Sequence, residues 1–420
     1  MSDKKASSSF ILSRRHVLKI LAVGSAALSM PTLAANTSES SHNYSKTIDY
    51  KGDHQAGVIT KEQKDASFIA FDVTTETLDG LETVLKILTE RIAYLTQDHV
   101  LPANTDDKLP PHESGILGRS LKPDSLTITV ALGDSLFDKR FGLAPFKPKH
   151  LQTMTSFPND RLEPNWCGGD ITLQICADSP ESVIYAVRDI IQHTNKYLSP
   201  RWKMDGFLPS RDIDTKSTAI NLFGFKDGTG NASASDEKLM NELVWVTDKD
   251  KEQSWCVGGS YQAIRLIRFN LEFWDRTPLE DQENNFGRHK ISGAPIGMKH
   301  EKDSPEFDKD PHGDRILFDS HMRRAEPRNP ERHTAKLRRR SYSYSLGLSN
   351  TGALDMGLIF VSYQKNLKTG FIDTQKRLNG EPLERYIKPF GGGYYFVLPG
   401  INNAQDYMGA DLIQLAKKPT

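Results

Sequence analysis

One order of elements, used twice, most restricts what this 420-residue chain can fold into: strand, helix, strand, strand, helix. In the first half an apolar run at residues 67–73 reads as a strand, and a helix follows over 78–96. Its Leu78, Leu81, Val84, Leu85, Leu88, Ile92 and Leu95 form one stripe at helical spacing. Strand-like runs come next at 126–131 and 171–176. A second helix is expected over 179–198, with Ser179 as N-cap, Pro180 in the first helical position, and Val183, Ile184, Val187, Ile190 and Ile191 on its buried face. The second half repeats this more loosely. Strands are expected at 219–223, 261–269 and 357–363, and helices around Glu272, over 275–286 and over 369–378. A Gly-rich, aromatic segment at 388–400 reads as a tight turn and a strand. The pattern fits an α+β fold of two ferredoxin-like modules, each an antiparallel sheet with helices on one face. The modules are expected over 64–212 and 213–420, preceded by a polar, aperiodic linker over 36–63.

The N-terminus reads as an address. Ser13-Arg14-Arg15-His16-Val17-Leu18-Lys19 is followed by a short apolar run and small residues up to Ala35. This predicts a twin-arginine signal peptide over 1–35 and a periplasmic destination. The apolar stretch is broken by Gly24, Ser25 and Ser29 and closed by Pro31, too short to span a bilayer. That export route carries folded proteins, so a prosthetic group can be inserted beforehand. Basic and acidic residues balance, 54 against 54, so no overall field favours nucleic acid. Cys167, Cys176 and Cys256 are odd in number and lack close spacing, which argues against a disulfide framework and against covalent c-type haem attachment.

Chemistry concentrates in residues 221–231, Asn-Leu-Phe-Gly-Phe-Lys-Asp-Gly-Thr-Gly-Asn. Asp227 stands among Gly224, Gly228 and Gly230, so a ligand surface can approach the main chain beneath a held carboxylate. Further on, His321 is followed by Arg323, Arg324 and Arg328, and then comes the cluster Arg338-Arg339-Arg340. Taken alone, Asp227 would more often cap a turn, His321 would be no more than level with a loop histidine, and the arginines would be a solvated face. Together, the spacing Gly-x-x-Asp-Gly, the His-x-x-Arg and an Arg eighteen residues beyond that His resemble the dye-decolourising peroxidase family, within it the branch of exported deferrochelatases/peroxidases.

The resemblance covers nearly the whole mature chain. It implies one non-covalent haem b held mainly in the C-terminal module, with His321 as metal ligand and Gly228, Thr229, Gly230, Glu326, Pro327, Arg328 and Arg339 around the cofactor. The polar segment 300–338 would wrap that site, and Leu358 and Phe360 would form an apolar wall. Asp227 would move the peroxide proton, and Arg339 would stabilise negative charge on the leaving oxygen. An alternating strand would point Arg338 and Arg340 the other way. Hydrogen peroxide and organic electron donors are the implied substrates. Haem or porphyrin is the implied ligand for iron release. Components of a ferrous-iron uptake system and a second copy in a dimer are the implied partners. The rival is a haem-binding or haem-delivery protein without turnover, which would need the arginines and His321 but not Asp227 with Arg339.

Overall fold

The computed structural model describes residues 46–418 apart from 102, 104, 105, 107, 210–217, 327–336 and 404. The expected signal peptide, and the boundary between the two expected modules, lie outside the described residues. Eight long strands carry the fold. In the first half these are β1 (Asp65–Val73), β2 (Thr127–Gly133), β3 (Ile171–Ala177) and β4 (Leu198–Phe207). In the second they are β5 (Ser260–Phe269), β6 (Tyr342–Leu348), β7 (Leu354–Gln364) and β8 (Ile387–Val397). The first four are ordered β2-β3-β1-β4 and the second four β6-β7-β5-β8, every pairing antiparallel. Each is the ferredoxin-like order, so the duplication expected from the sequence is present.

The two sheets then join end to end. β8 pairs with β2 through Tyr395↔Gly133, Phe396↔Leu132 and Val397↔Ala131, and β4 meets β6 at Phe207↔Ser343. In both seams the last strand of one half meets the second strand of the other, which closes the strands into a ring. Phe68, Ala70, Trp202, Met204, Ile264, Leu266, Tyr342, Tyr363 and Tyr395 pack together on one side of the strands. On the other side of β1, Ile69, Phe71 and Val73 pack under α1 (Leu78–Leu95) and α2 (Pro180–Thr194). Alternation along β1 therefore serves two cores at once. The caps follow the sequence: Thr77 accepts from the Gly80 N–H and Ser179 from the Ser182 N–H.

Four expectations need correction. The second helix stops at Thr194, and β4 occupies part of the stretch given to it; Leu198, Trp202, Met204 and Gly206 are buried along a strand whose intervening residues face solvent. Pro200 hid that strand, and it sits where the β1–β4 register shifts. Residues 219–223 form no strand but a turn with the single bridge Ile220↔Lys226, because the Asn221 side chain takes the N–H groups of Phe223 and Phe225 that a ladder would have used. Residues 388–400 contain no tight turn at 391–393; β8 continues through them after a register shift against β5 between Pro389 and Gly391, the glycines letting it lie against Trp166 and β5.

The fourth concerns the linker over 36–63. From residue 46 onwards it belongs to the body. Gln55 is buried and bonds Val130 and Leu398 carbonyls, Val58 is buried, and His54 stacks on Trp245 at 3.9 Å. Polar composition misled because these side chains satisfy backbone groups at strand ends instead of water.

Asp65 opens β1 in a partly exposed position. Burial first, and then the carboxylates of Glu181 and Asp178 against the opposing pull of Lys64, push its carboxyl up to about 6. The folded value lies above the unfolded one, so its contribution is fully present below the unfolded value of about 3.9 and is lost as pH rises through 6. Asp65→Asn is expected to raise stability at pH 7 by about 1 kcal/mol, after discounting for solvent screening, and to change little near pH 3. Urea midpoints at the two pH values measure this.

Candidate active site

A third cluster, all around one loop, builds the site. Phe223 stacks on Phe269 at 3.9 Å and Phe225 on Phe286 at 4.2 Å, with Trp274 between the pairs. These anchors grip the loop on the N-terminal side of Asp227. The Asp227 N–H donates to the Ala219 carbonyl at 2.7 Å. Gly228 and Gly230 follow with φ of 124° and 83°, backbone that a side chain would strain. The loop therefore turns sharply around the carboxylate. Glu301 braces it from outside, accepting from the Thr229 hydroxyl at 2.9 Å and from Lys226 Nζ at 2.6 Å.

Arg339 reaches the loop from the two-residue strand Arg338–Arg339, which pairs with β7. Its Nη1 stands 3.4 Å from Asp227 Oδ1, and its Nη2 donates to the Thr229 carbonyl at 2.8 Å. Its neighbours point the other way, as alternation requires. Arg338 donates to the Ala232 carbonyl and to Glu62, and Arg340 to the Thr60 carbonyl and to Gln63. The segment read as linker thus holds the two flanking arginines and leaves the middle one to the site.

His321 opens the short helix His321–Ala325. Its Nδ1–H donates to Glu381 Oε2 at 2.8 Å, and the Glu381 carboxylate is buried. That bond orients the ring and leaves Nε2 as the free acceptor. Burial, the largest influence, opposes protonation of this ring, but the Glu381 charge and hydrogen bond outweigh it, and the net direction is upward. Arg339 and Asp227 lie near enough for their charges to act on the same ring.

All three face one cavity, which with its open mouth holds about 1860 Å³ of space free of protein atoms. Ile267, Phe269, Phe286, Leu337, Leu358 and Phe360 give it apolar walls. Thr229, Gly230, Glu326, His321 and Arg339 line it; Gly228 shapes the loop without reaching the wall. Pro327 and Arg328 lie outside the described residues. Arg323 and Arg324, close to His321 in the sequence, turn away from the cavity. Arg323 is buried on Asp310 and the Ile316 carbonyl, Arg324 bonds the Asn379 carbonyl, and neither lines the cavity. Among the described residues, the cations in the wall besides Arg339 are Lys226, Arg265 and Arg288. Arginine clusters in a sequence do not reveal which members spend their charge on internal carboxylates. Glu381 was also missed, since sixty residues separate it from His321 and only the fold brings them together.

Family models for the Dyp-type peroxidase N-terminal and C-terminal domains match residues 55–208 and 218–402. A protein of Escherichia coli strain K12 described as a deferrochelatase is 49% identical over 411 residues, covering 96% of this chain and 97% of its own. Among solved structures, a DyP-type peroxidase from Cellulomonas bogoriensis superposes with a TM-score of 0.77 at 31% identity, covering 88% of this chain and 99% of its own. Ferric DtpA from Streptomyces lividans gives 0.78 at 29%, covering 88% and 98%.

Proposed function

Because the chain belongs to the Dyp-type peroxidase family, we propose that it is a haem b peroxidase that oxidises organic donors with hydrogen peroxide. The convergence of His321, Asp227 and Arg339 on one cavity carries this reading. The residues fit haem. An imidazole with its Nδ1 fixed by a carboxylate offers Nε2 to a metal, and the apolar walls suit a porphyrin. Haem, when bound, supplies the redox-active iron. The Asp227 carboxylate would take a proton from hydrogen peroxide and return it to the oxygen that leaves as water, the two electrons for breaking the O–O bond being what haem would supply. Arg339, aimed by Thr229, stabilises the negative charge growing on that oxygen. His321 holds the cofactor from within the C-terminal module, and Thr229, Gly230 and Glu326 border it.

The same protein is proposed to release iron from haem while keeping the porphyrin intact, as the description of its Escherichia coli relative suggests. The Arg14-Arg15 leader supports export to the periplasm by the twin-arginine route, where the protein would serve ferrous-iron uptake, working as a homodimer with other uptake components. A haem-delivery protein without turnover has no use for the Asp227–Arg339 pair and is the weaker reading. One experiment separates them: load the protein with haem, record its spectrum, then assay dye oxidation by peroxide and iron-free porphyrin side by side. A haem spectrum without peroxide turnover leaves only the delivery reading.

Glu381→Gln keeps a hydrogen bond to His321 but removes the buried charge. The ferric–ferrous potential of the loaded protein is expected to rise by about 60–130 mV. That is the one-electron equivalent of the about 1.5–3 kcal/mol that a charged hydrogen bond contributes. A redox titration of variant and parent reads it directly.

A further inference from the structure

Among the described residues, the strand that carries Arg339 has no strand beyond it. Arg338–Arg339 pairs with β7 on one side through Ser362↔Arg339 and Tyr363↔Arg338. In an antiparallel ladder the N–H and C=O of one residue point to the same side, and the next residue's point to the other. Arg340 N–H turns inward to the Val361 carbonyl at 2.9 Å, so both backbone groups of Arg339 turn outward. Further along, the outer neighbour of this segment is β4, touching at Ser343 only. At Arg339 the outer neighbour among the described residues is a side chain, that of Asn231. Asn231 Oδ1 accepts from the Arg339 N–H at 2.9 Å, and Asn231 Nδ2 donates to the Arg339 carbonyl at 2.7 Å.

We propose that Asn231 is the positioning residue of the catalytic pair, its carboxamide standing in for a missing strand and clamping the Arg339 backbone to the Asp227 loop. An amide side chain carries one acceptor and donors at about the spacing of a peptide group, so it can satisfy both outward groups together. Asn231 belongs to the loop it serves: its own N–H donates to the Gly228 carbonyl at 3.0 Å, one residue past Asp227. The clamp therefore ties the carboxylate and the guanidinium to one rigid turn from the backbone side. The contact of Arg339 Nη2 with the Thr229 carbonyl ties them from the side-chain side. Two attachments fix the direction of a long side chain where one would leave it swinging. The 3.4 Å gap between Arg339 and Asp227 is set by this double hold.

The inference rests on the peroxidase reading for its catalytic consequence, while its structural part is tested independently. In Asn231→Ala the amide of Arg339 loses its partner. Deuterium uptake by the peptide containing Arg339 is expected to quicken, with and without haem, while β5 and β8 exchange as in the parent. In the haem-loaded variant the Soret band is retained. The kcat for peroxide-dependent dye oxidation falls about tenfold to a hundredfold with KM for the dye near the parent value, as displacement of a catalytic group by about an ångström does. Asn231→Asp keeps the acceptor and loses the donor, so it should fall between parent and Ala in exchange at Arg339; it also serves if the Ala variant folds poorly. Unchanged exchange at Arg339 in both variants overturns the clamp. Faster exchange with unchanged kcat overturns its catalytic importance. A parent without peroxide turnover would sink the functional reading and leave the exchange result to stand by itself.

Discussion

Asp227→Ala is expected to keep the haem spectrum of the loaded protein and to slow peroxide-dependent dye oxidation by about a hundredfold to ten-thousandfold. The carboxylate stands at the cavity wall beside Arg339 and makes no contact with His321 through which cofactor retention would suffer. The loop itself does not depend on the side chain. Its shape comes from the backbone bond to Ala219, from the two left-handed glycines and from the packed Phe223 and Phe225. Truncation therefore removes a proton carrier and leaves its mounting. Peroxide can still reach the cavity, but the proton it must lose and regain no longer has the Asp227 carboxylate to carry it. Stopped-flow mixing with peroxide followed by steady-state dye assays measures the change. Equal rates in variant and parent would take Asp227 out of the mechanism and leave the haem-delivery reading in front.

His321→Ala is the companion, with the opposite signature. Haem retention is expected to fall by at least about a hundredfold, the scale at which even outer partners of metal ligands matter. Turnover would fall with it. The ring is the protein group that offers a metal-binding nitrogen to the cavity with its other nitrogen already committed, to the buried Glu381. Removing it leaves that carboxylate buried without its partner, so some loss of stability accompanies the loss of ligand. Desalting the haem-loaded variant and recording the Soret band gives the result, and added imidazole should restore part of the absorbance. A variant that retains haem with an unaltered spectrum would show that another group binds the metal.

Much of this site could be read from the chain itself because its chemistry sits in short stretches. Asp227 with its glycines, His321, and Arg339 among three arginines are weak signals singly, but their combined spacing carries the family resemblance, and the structure brings them to one cavity. Alternation sets Arg339 apart from Arg338 and Arg340, and the family resemblance chose which of the two faces meets the cavity. Where partners were distant, local reading failed. Arg323 and Arg324, read singly as a solvated face, are instead committed to Asp310 and the Asn379 carbonyl. Glu381 and the clamp role of Asn231 gave no local signal, and the polar residues 46–63 looked like a tether although they hold Arg338 and Arg340.

The sequence by itself determined the duplicated strand and helix pattern and the cap at Ser179, which follow from periodicity and from residue chemistry acting within a few positions. The three side chains that face the cavity were singled out through the family resemblance their spacing carries. Only the tertiary structure decided that the two sheets close on each other, that a strand, β4, follows where the second helix ends early, and which carboxylate meets which cation. Strand pairing and buried ion pairs are settled by satisfying backbone groups and charges across long separations, and a polar residue carries no mark of the partner that will meet it once water is excluded.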